Sequence, residues 1–236
     1  MTDAPTKPLM DAIQYQFKEP ALLDEALTHR SVSERNNERL EFLGDSILNF
    51  VIASELFVRR PEEPEGALSR LRASLVNKDS LAAIARQLQL GDWLHLGSGE
   101  RKSGGRRRDS ILSDAVESII GAVYLDGGYE SSRALILRLY QERLARLPEA
   151  SELKDPKTRL QEYLQSNRLA LPTYEVNRVS GKAHDQTFNV SCHVAGIDIV
   201  TTGTAGSRRR AEQVAAAAML DRLTADSPAE ETQGND

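Results

Sequence analysis

Asn37-Glu38-Arg39-Leu40-Glu41-Phe42-Leu43-Gly44-Asp45-Ser46 is the stretch whose reading organises the rest of the chain. Its apolar residues Leu40 and Leu43 continue at helical spacing through Ile47, Val51 and Val58, so the segment opens an amphipathic helix. On that helix Glu38, Glu41 and Asp45 stand at i, i+3 and i+7 and share one face beside the apolar stripe. A second helix, striped by Ile111, Ala115, Ile119 and Val123, places Asp114 and Glu117 three residues apart in the same way. Acidic residues beside an apolar stripe usually mark the wet side of a helix. The pairs Glu41/Asp45 and Asp114/Glu117 differ from such a face, because none of the four has a Lys or Arg three or four residues away. Glu142, by contrast, meets Arg138 and Arg146 at both i±4 positions, as surface helices do. Like charges at this spacing cost roughly a few tenths of a kcal/mol per pair, so two uncompensated pairs suit the ligation of a cation. Spacing alone leaves both readings open.

Outward from these helices, residues 1–147 read as helical throughout, with further stripes at Leu68, Leu71 and Leu75 and at Leu81, Ile84, Ala85 and Leu88. Residues 148–154 lack an apolar period, begin with Pro148 and run up to Pro156, and read as a linker. A second domain is expected over 155–225. A helix from about Lys157 to Ser166 precedes a strand through Tyr174 and Val176. Phe188, Val190, Cys192 and Val194 alternate at period two, and a third strand is expected through Ile197 and Ile199. Gly203, Gly206 and Ser207 break the pattern before a last helix with Ala211, Val214, Ala215 and Ala218 on one face. The fold class is therefore α+β in two domains, all-α followed by α-β-β-β-α, with residues 226–236 an acidic tail expected to be disordered.

Composition narrows the chemistry. The chain has 236 residues and one cysteine, Cys192, which excludes an intramolecular disulfide framework and a cysteine-built zinc site and reads as a core residue. Its 4 histidines are not paired at ligand spacing, which leaves oxygen ligands and a hard cation such as magnesium if a metal is used at all. The apolar stretch 46–58 is broken by Asn49, Ser54 and Glu55, short of the roughly 18 residues a membrane span needs, so no membrane role is expected. Residues 1–11 carry no basic cap followed by an apolar core, and a cytoplasmic location is expected. The net charge of −5 speaks against nucleic acid only until its distribution is seen, because basic residues bunch between Arg101 and Arg108 and again at Arg208-Arg209-Arg210. The latter run opens a helix after Ser207, its expected N-cap, where the macrodipole favours acids. Three arginines there suit a phosphate clamp.

The block Asn37–Ser46 resembles the signature of the ribonuclease III family nearly letter for letter, and Asp114-Ala115-Val116-Glu117-Ser118 resembles its second acidic motif. The C-terminal α-β-β-β-α unit is similar to a double-stranded-RNA-binding domain, so the resemblance covers nearly the whole chain. It implies an endoribonuclease that hydrolyses double-stranded RNA with Mg2+, leaving 5′-phosphate and 3′-hydroxyl ends with short 3′ overhangs, in processing ribosomal RNA precursors and other structured transcripts. The alternative is a non-cleaving RNA-binding protein of the same fold. Magnesium held by carboxylates suits the reaction, since a cation neutralises an anionic phosphodiester that otherwise repels nucleophiles. By resemblance Glu41, Asp45, Asp114 and Glu117 hold the metal, while Glu38 and Glu65 position the cleaved strand. For Glu38 an ordinary helix pair with Arg35 is the competing reading, and for Glu65 a first-turn charge on a helix dipole. Phe42, which faces away from the carboxylates, would join two copies in a homodimer. Thr158, Gln161 and Glu162, with His184 and Arg208, Arg209 and Arg210, would contact duplex RNA through successive minor grooves and the backbone. Two departures stand out: Ser118, where alanine is common, and Ala205, in a usually glycine-richer turn.

Overall fold

The computed structural model describes residues 6–149, 152–182 and 185–225; His184 and the acidic tail lie outside them. The chain divides into two compact units between Leu153 and Lys154.

The first unit is helical: α1 (Lys7–Ile13), α2 (Pro20–Leu27), α3 (Glu38–Arg59), α4 (Glu65–Leu75), α5 (Lys78–Gln87), α6 (Leu90–Trp93), α7 (Ser98–Lys102), a 3-10 turn at Gly105–Arg107, α8 (Asp109–Leu139) and α9 (Gln141–Ala145). Helix α3 starts with Glu38 and Glu41 in its first turn and has Arg59 in its last, a charge order that complements the helix dipole. It buries Leu40, Gly44, Ile47, Leu48, Val51, Ile52 and Leu56. Val58, expected in the stripe, is instead exposed, because the buried part of α3 ends at Leu56 and its last turn reaches past the core. Helix α8 is the central element. Its expected stripe is buried, and so are Leu112, Val116 and Ile120, which makes it apolar on more sides than a surface helix. Gly128, at φ 77°, breaks it into two segments.

The second unit comprises α10 (Pro156–Ser166), β1 (Pro172–Ser180), β2 (Thr187–Val194), β3 (Val200–Ala205) and α11 (Arg208–Ala225). The strands form an antiparallel sheet in the order β1-β2-β3, with Tyr174 opposite Cys192 and Val190 opposite Gly203. Leu160 and Leu164 of α10, Cys192 and Val194 of β2, and Ala215, Ala216, Met219 and Leu220 of α11 make its core.

Three readings of this unit need correction. The third strand begins at Val200, beyond the turn that holds Ile197. Gly203 lies within that strand and does not end it. A Cβ at Gly203 would stand 2.2 Å from the Ala211 carbonyl oxygen, so this glycine admits α11 against the sheet. Val214 is exposed, and the buried face of α11 runs through Ala211, Ala215, Ala216 and Met219. Among the described residues no helix is long and apolar enough to cross a membrane.

Candidate active site

Helices α3 and α8 pack side by side, and two glycines set how close they come. A Cβ at Gly44 would fall 1.8 Å from the Glu117 carbonyl oxygen, and one at Gly121 would fall 2.3 Å from the Leu40 carbonyl oxygen. Such backbone contact brings carboxylates of different helices together. Among the described residues, Glu41, Asp114 and Glu117 each offer a carboxylate oxygen within 4.8 Å of the other two. Ser118, fully buried, has its hydroxyl 2.7 Å from the Asp114 carbonyl oxygen and 3.2 Å from that of Asn37, so the departure from alanine spans α8 and the start of α3.

The cluster is electrostatically costly. Burial, then the charges of Asp45, Glu41 and Asp114, push Glu117 up to about 8. Burial is also the first cause that raises Glu41, followed by Asp114, Glu38 and Asp45, and burial raises Asp114. No described Lys or Arg forms an ion pair with any of the three. A set of convergent, partly buried carboxylate oxygens without a protein cation fits a hard divalent ion.

The other expected residues divide. Asp45 is exposed one turn beyond Glu41 and stands outside the trio, its Oδ1 accepting from Asn49 Nδ2 at 2.8 Å; its charge still acts on Glu117. Glu38 pairs with Arg30 at 3.3 Å and not with Arg35, which lies in the loop before α3 and reaches Glu25. Glu65 opens α4 and accepts from Ser69 Oγ at 2.7 Å, and it does not line the groove beside the trio. That groove, about 650 Å³, holds Glu38, Glu41 and Asp114 together with His29, Arg30 and Arg108. The sequence assigned none of these three a place at the acidic site, although Arg108 ends its first basic run; their signal was position, since His29 and Arg30 closely precede the acidic helix and Arg108 is the N-cap of α8.

In the second unit Thr158, Gln161 and Glu162 are exposed on α10. Ser207 caps α11, its Oγ accepting from Arg210 N at 3.3 Å. The three arginines are not equivalent. Arg208 Nε donates to Glu212 Oε1 at 2.9 Å, and Lys157 Nζ donates to the other oxygen at 2.6 Å. These partners hold the Glu212 carboxyl below its usual range, with the Lys157 hydrogen bond the largest cause. Arg209 lies 4.0 Å from Asp155, whereas Arg210 forms no ion pair among the described residues.

Residues 19–144 match the model of a ribonuclease-III-like family, and residues 156–223 match the double-stranded RNA binding motif. A protein named Ribonuclease 3 from Alkalilimnicola ehrlichii is 62% identical over 219 residues, 93% of this chain and 96% of that protein. The chain belongs to the ribonuclease III family. A Ribonuclease 3 of Vibrio cholerae is 54% identical over 93% of this chain and 98% of its own length. The crystallised nuclease domain of ribonuclease III from Campylobacter jejuni covers 60% of this chain and all of its own, with 44% identity and a TM-score of 0.59. The ribonuclease III fold accounts for the helical unit with its acidic cluster, and the second unit binds double-stranded RNA. The protein is an endoribonuclease of double-stranded RNA.

Proposed function

We propose that the cleavage centre is the Glu41, Asp114 and Glu117 cluster, that Mg2+ is the ion it takes, and that Asp45 completes the ligand set. The observation that carries this is the convergence of three partly buried carboxylates, none of them held in an ion pair by a described Lys or Arg. When bound, the metal neutralises the phosphodiester and supports attack by water with departure of the 3′ oxygen, which leaves 5′-phosphate and 3′-hydroxyl ends. The chain's own part is to hold the oxygens convergent. Gly44 and Gly121 let the helices meet, and Ser118 spans them. Glu38 and Glu65 are assigned to positioning the cleaved strand.

Both strands of a duplex must be cut, and a two-fold dimer supplies two centres. Phe42, Phe50 and Phe57 are exposed along α3, with Phe42 78% exposed. An apolar row of this kind supports a homodimer in which Phe42 packs against a second copy. The second unit adds affinity through Thr158, Gln161, Glu162 and His184 at the minor grooves and Arg208, Arg209 and Arg210 at phosphates. Structured transcripts, ribosomal RNA precursors among them, are the substrates, cleaved with short 3′ overhangs in the cytoplasm.

Glu117→Gln tests the centre. It removes a ligand charge and leaves the RNA contacts alone, so duplex binding persists while cleavage falls by about 10³-fold or more. Normal turnover by this variant overturns the assignment. Calcium in place of magnesium is expected to allow binding without efficient hydrolysis, because its looser oxygen shell lacks magnesium's octahedral demand.

A further inference from the structure

A loop outside the two acidic helices brings cations to the same groove. Residues 27–31 dock on residues 95–97 through backbone bonds: His95 N donates to Leu27 O at 2.9 Å and His29 N to His95 O at 3.0 Å. Gly97 N donates to Ser31 Oγ at 2.9 Å. Gly97 is required for the approach, since a Cβ there would lie 2.5 Å from the Ser31 carbonyl oxygen. Asn37 N donates to Thr28 O at 2.9 Å, which fastens the loop to the start of α3. The main chain and Ser31 thus hold the loop, and the Arg30 side chain is not needed for it.

That side chain points to the groove. It lines the cavity with Glu41 and Asp114, and its Nη1 lies 3.3 Å from Glu38 Oε1 with 70% of the side chain exposed. Its charge favours the ionised form of both Glu41 and Asp114, against the burial that raises them. An exposed pair of this length contributes little to stability, so folding does not explain an arginine here. The groove's other arginine, Arg108, is committed to Glu100 and Ser103. An acidic groove that receives a polyanion needs a cation that is free to move to it, and the planar guanidinium fork matches two phosphate oxygens.

We propose that Arg30 is a further catalytic residue: with duplex RNA in the groove, its guanidinium exchanges Glu38 for the non-bridging oxygens of the phosphate being cleaved. This rests on the reading of Glu41, Asp114 and Glu117 as the cleavage centre. Water adds to phosphorus and gives up one proton to solvent, the P–O3′ bond breaks, and the departing 3′ oxygen takes one proton back from solvent, so the net change is one water consumed. Arg30 keeps its own proton throughout and offsets charge that grows on the phosphate in the transition state. Glu38 then acts on the strand through Arg30, which it aims into the groove before RNA arrives.

The test uses the full chain and a defined duplex RNA, with single-turnover cleavage in Mg2+ and duplex binding in Ca2+. Arg30→Ala is expected to slow cleavage about 10²-fold, as loss of one transition-state charge contact does, with duplex affinity held within about threefold. Ethylguanidinium added in solution should restore part of that rate, and Arg30→Lys should fall between wild type and Arg30→Ala. A structural role would not respond to the added cation. Arg30→Ala cleaving within about twofold of wild type overturns the proposal. So does a loss that ethylguanidinium leaves untouched and that follows a shift in the Mg2+ needed for half-maximal rate. Glu117→Gln run in parallel separates the two ideas. An inactive Glu117→Gln beside a fully active Arg30→Ala removes only the role of Arg30, whereas an active Glu117→Gln removes the cleavage centre itself.

Discussion

Gly44 of α3 and Glu117 of α8 meet backbone to backbone, with room for no side-chain atom between them: a Cβ added at Gly44 would sit 1.8 Å from the Glu117 carbonyl oxygen. Glu117 is also the carboxylate whose pKa rises most clearly, to about 8. The glycine inside the acidic signature therefore sets the distance at which the carboxylates of two helices converge. Gly44→Ala should push α3 from α8 by an appreciable fraction of an ångström or more. The expected outcome is a destabilisation of about 1–3 kcal/mol by overpacking, read by urea unfolding, with more Mg2+ needed for half-maximal cleavage in the folded fraction. An alanine variant with wild-type stability and metal response would show that the helices need not touch here.

The raised carboxylates have a consequence for pH. Glu117 is held well above its ordinary 4.5, and Glu41 and Asp114 are raised as well, so the folded protein binds more protons than the unfolded chain between those values. The stabilising contribution is complete below the unfolded carboxylate range and is lost as pH rises through the folded value of about 8. Metal-free protein should therefore melt at lower temperature at pH 8 than at pH 6, and Glu117→Gln should flatten that slope. Magnesium favours the ionised cluster and should raise Tm more at pH 8 than at pH 6. Equal stabilisation at both pH values would mean that the ion binds elsewhere.

Charge on α11 divides into structural and available arginines. Arg208 shares Glu212, which is buried, with Lys157, whereas Arg210 has no ion pair among the described residues. Arg210→Ala should weaken binding to all duplex sequences alike and lower the slope of log affinity against log salt by roughly 0.9, the B-DNA value per lost phosphate contact. Arg208→Ala should lower the melting temperature as well, because it leaves a buried carboxylate with one cation. Filter binding across a salt series and thermal melting check the division. A purely structural Arg210 would leave the slope unchanged.

What the sequence could disclose follows the range of each interaction. Helical period alone put Glu41 with Asp45 and Asp114 with Glu117, because each pair is set within one helix. It could not bring the two pairs together, since the distance between axes depends on Gly44 and Gly121 meeting carbonyls of the opposite helix. The groove's cationic loop was hidden for a similar reason: Ser31 Oγ accepts from Gly97 N, 66 residues away, and a contact of that range leaves no periodic trace. In the second unit Gly203 was misread as a breaker, because a glycine inside a strand is the same letter whether it ends a ladder or admits a helix.

The final prediction concerns two chains. Glu41, Asp114 and Glu117 converge within 4.8 Å inside a single chain, so one protomer carries these ligands without help from a second. In a dimer each centre should then cut one strand, and the two-fold axis should set the stagger between cuts. A mixed dimer of wild-type and Glu117→Gln chains, purified through two different affinity tags, should nick one strand of a labelled duplex in a single binding event and leave the other whole. The nicked strand should depend on duplex orientation alone, since either strand can face the intact centre. If ligands were drawn from both chains, one altered chain would damage both centres and the mixed dimer would cut neither strand. Cutting of both strands in one event would mean that one centre serves both. Either result, read on a denaturing gel, would overturn one complete centre per chain.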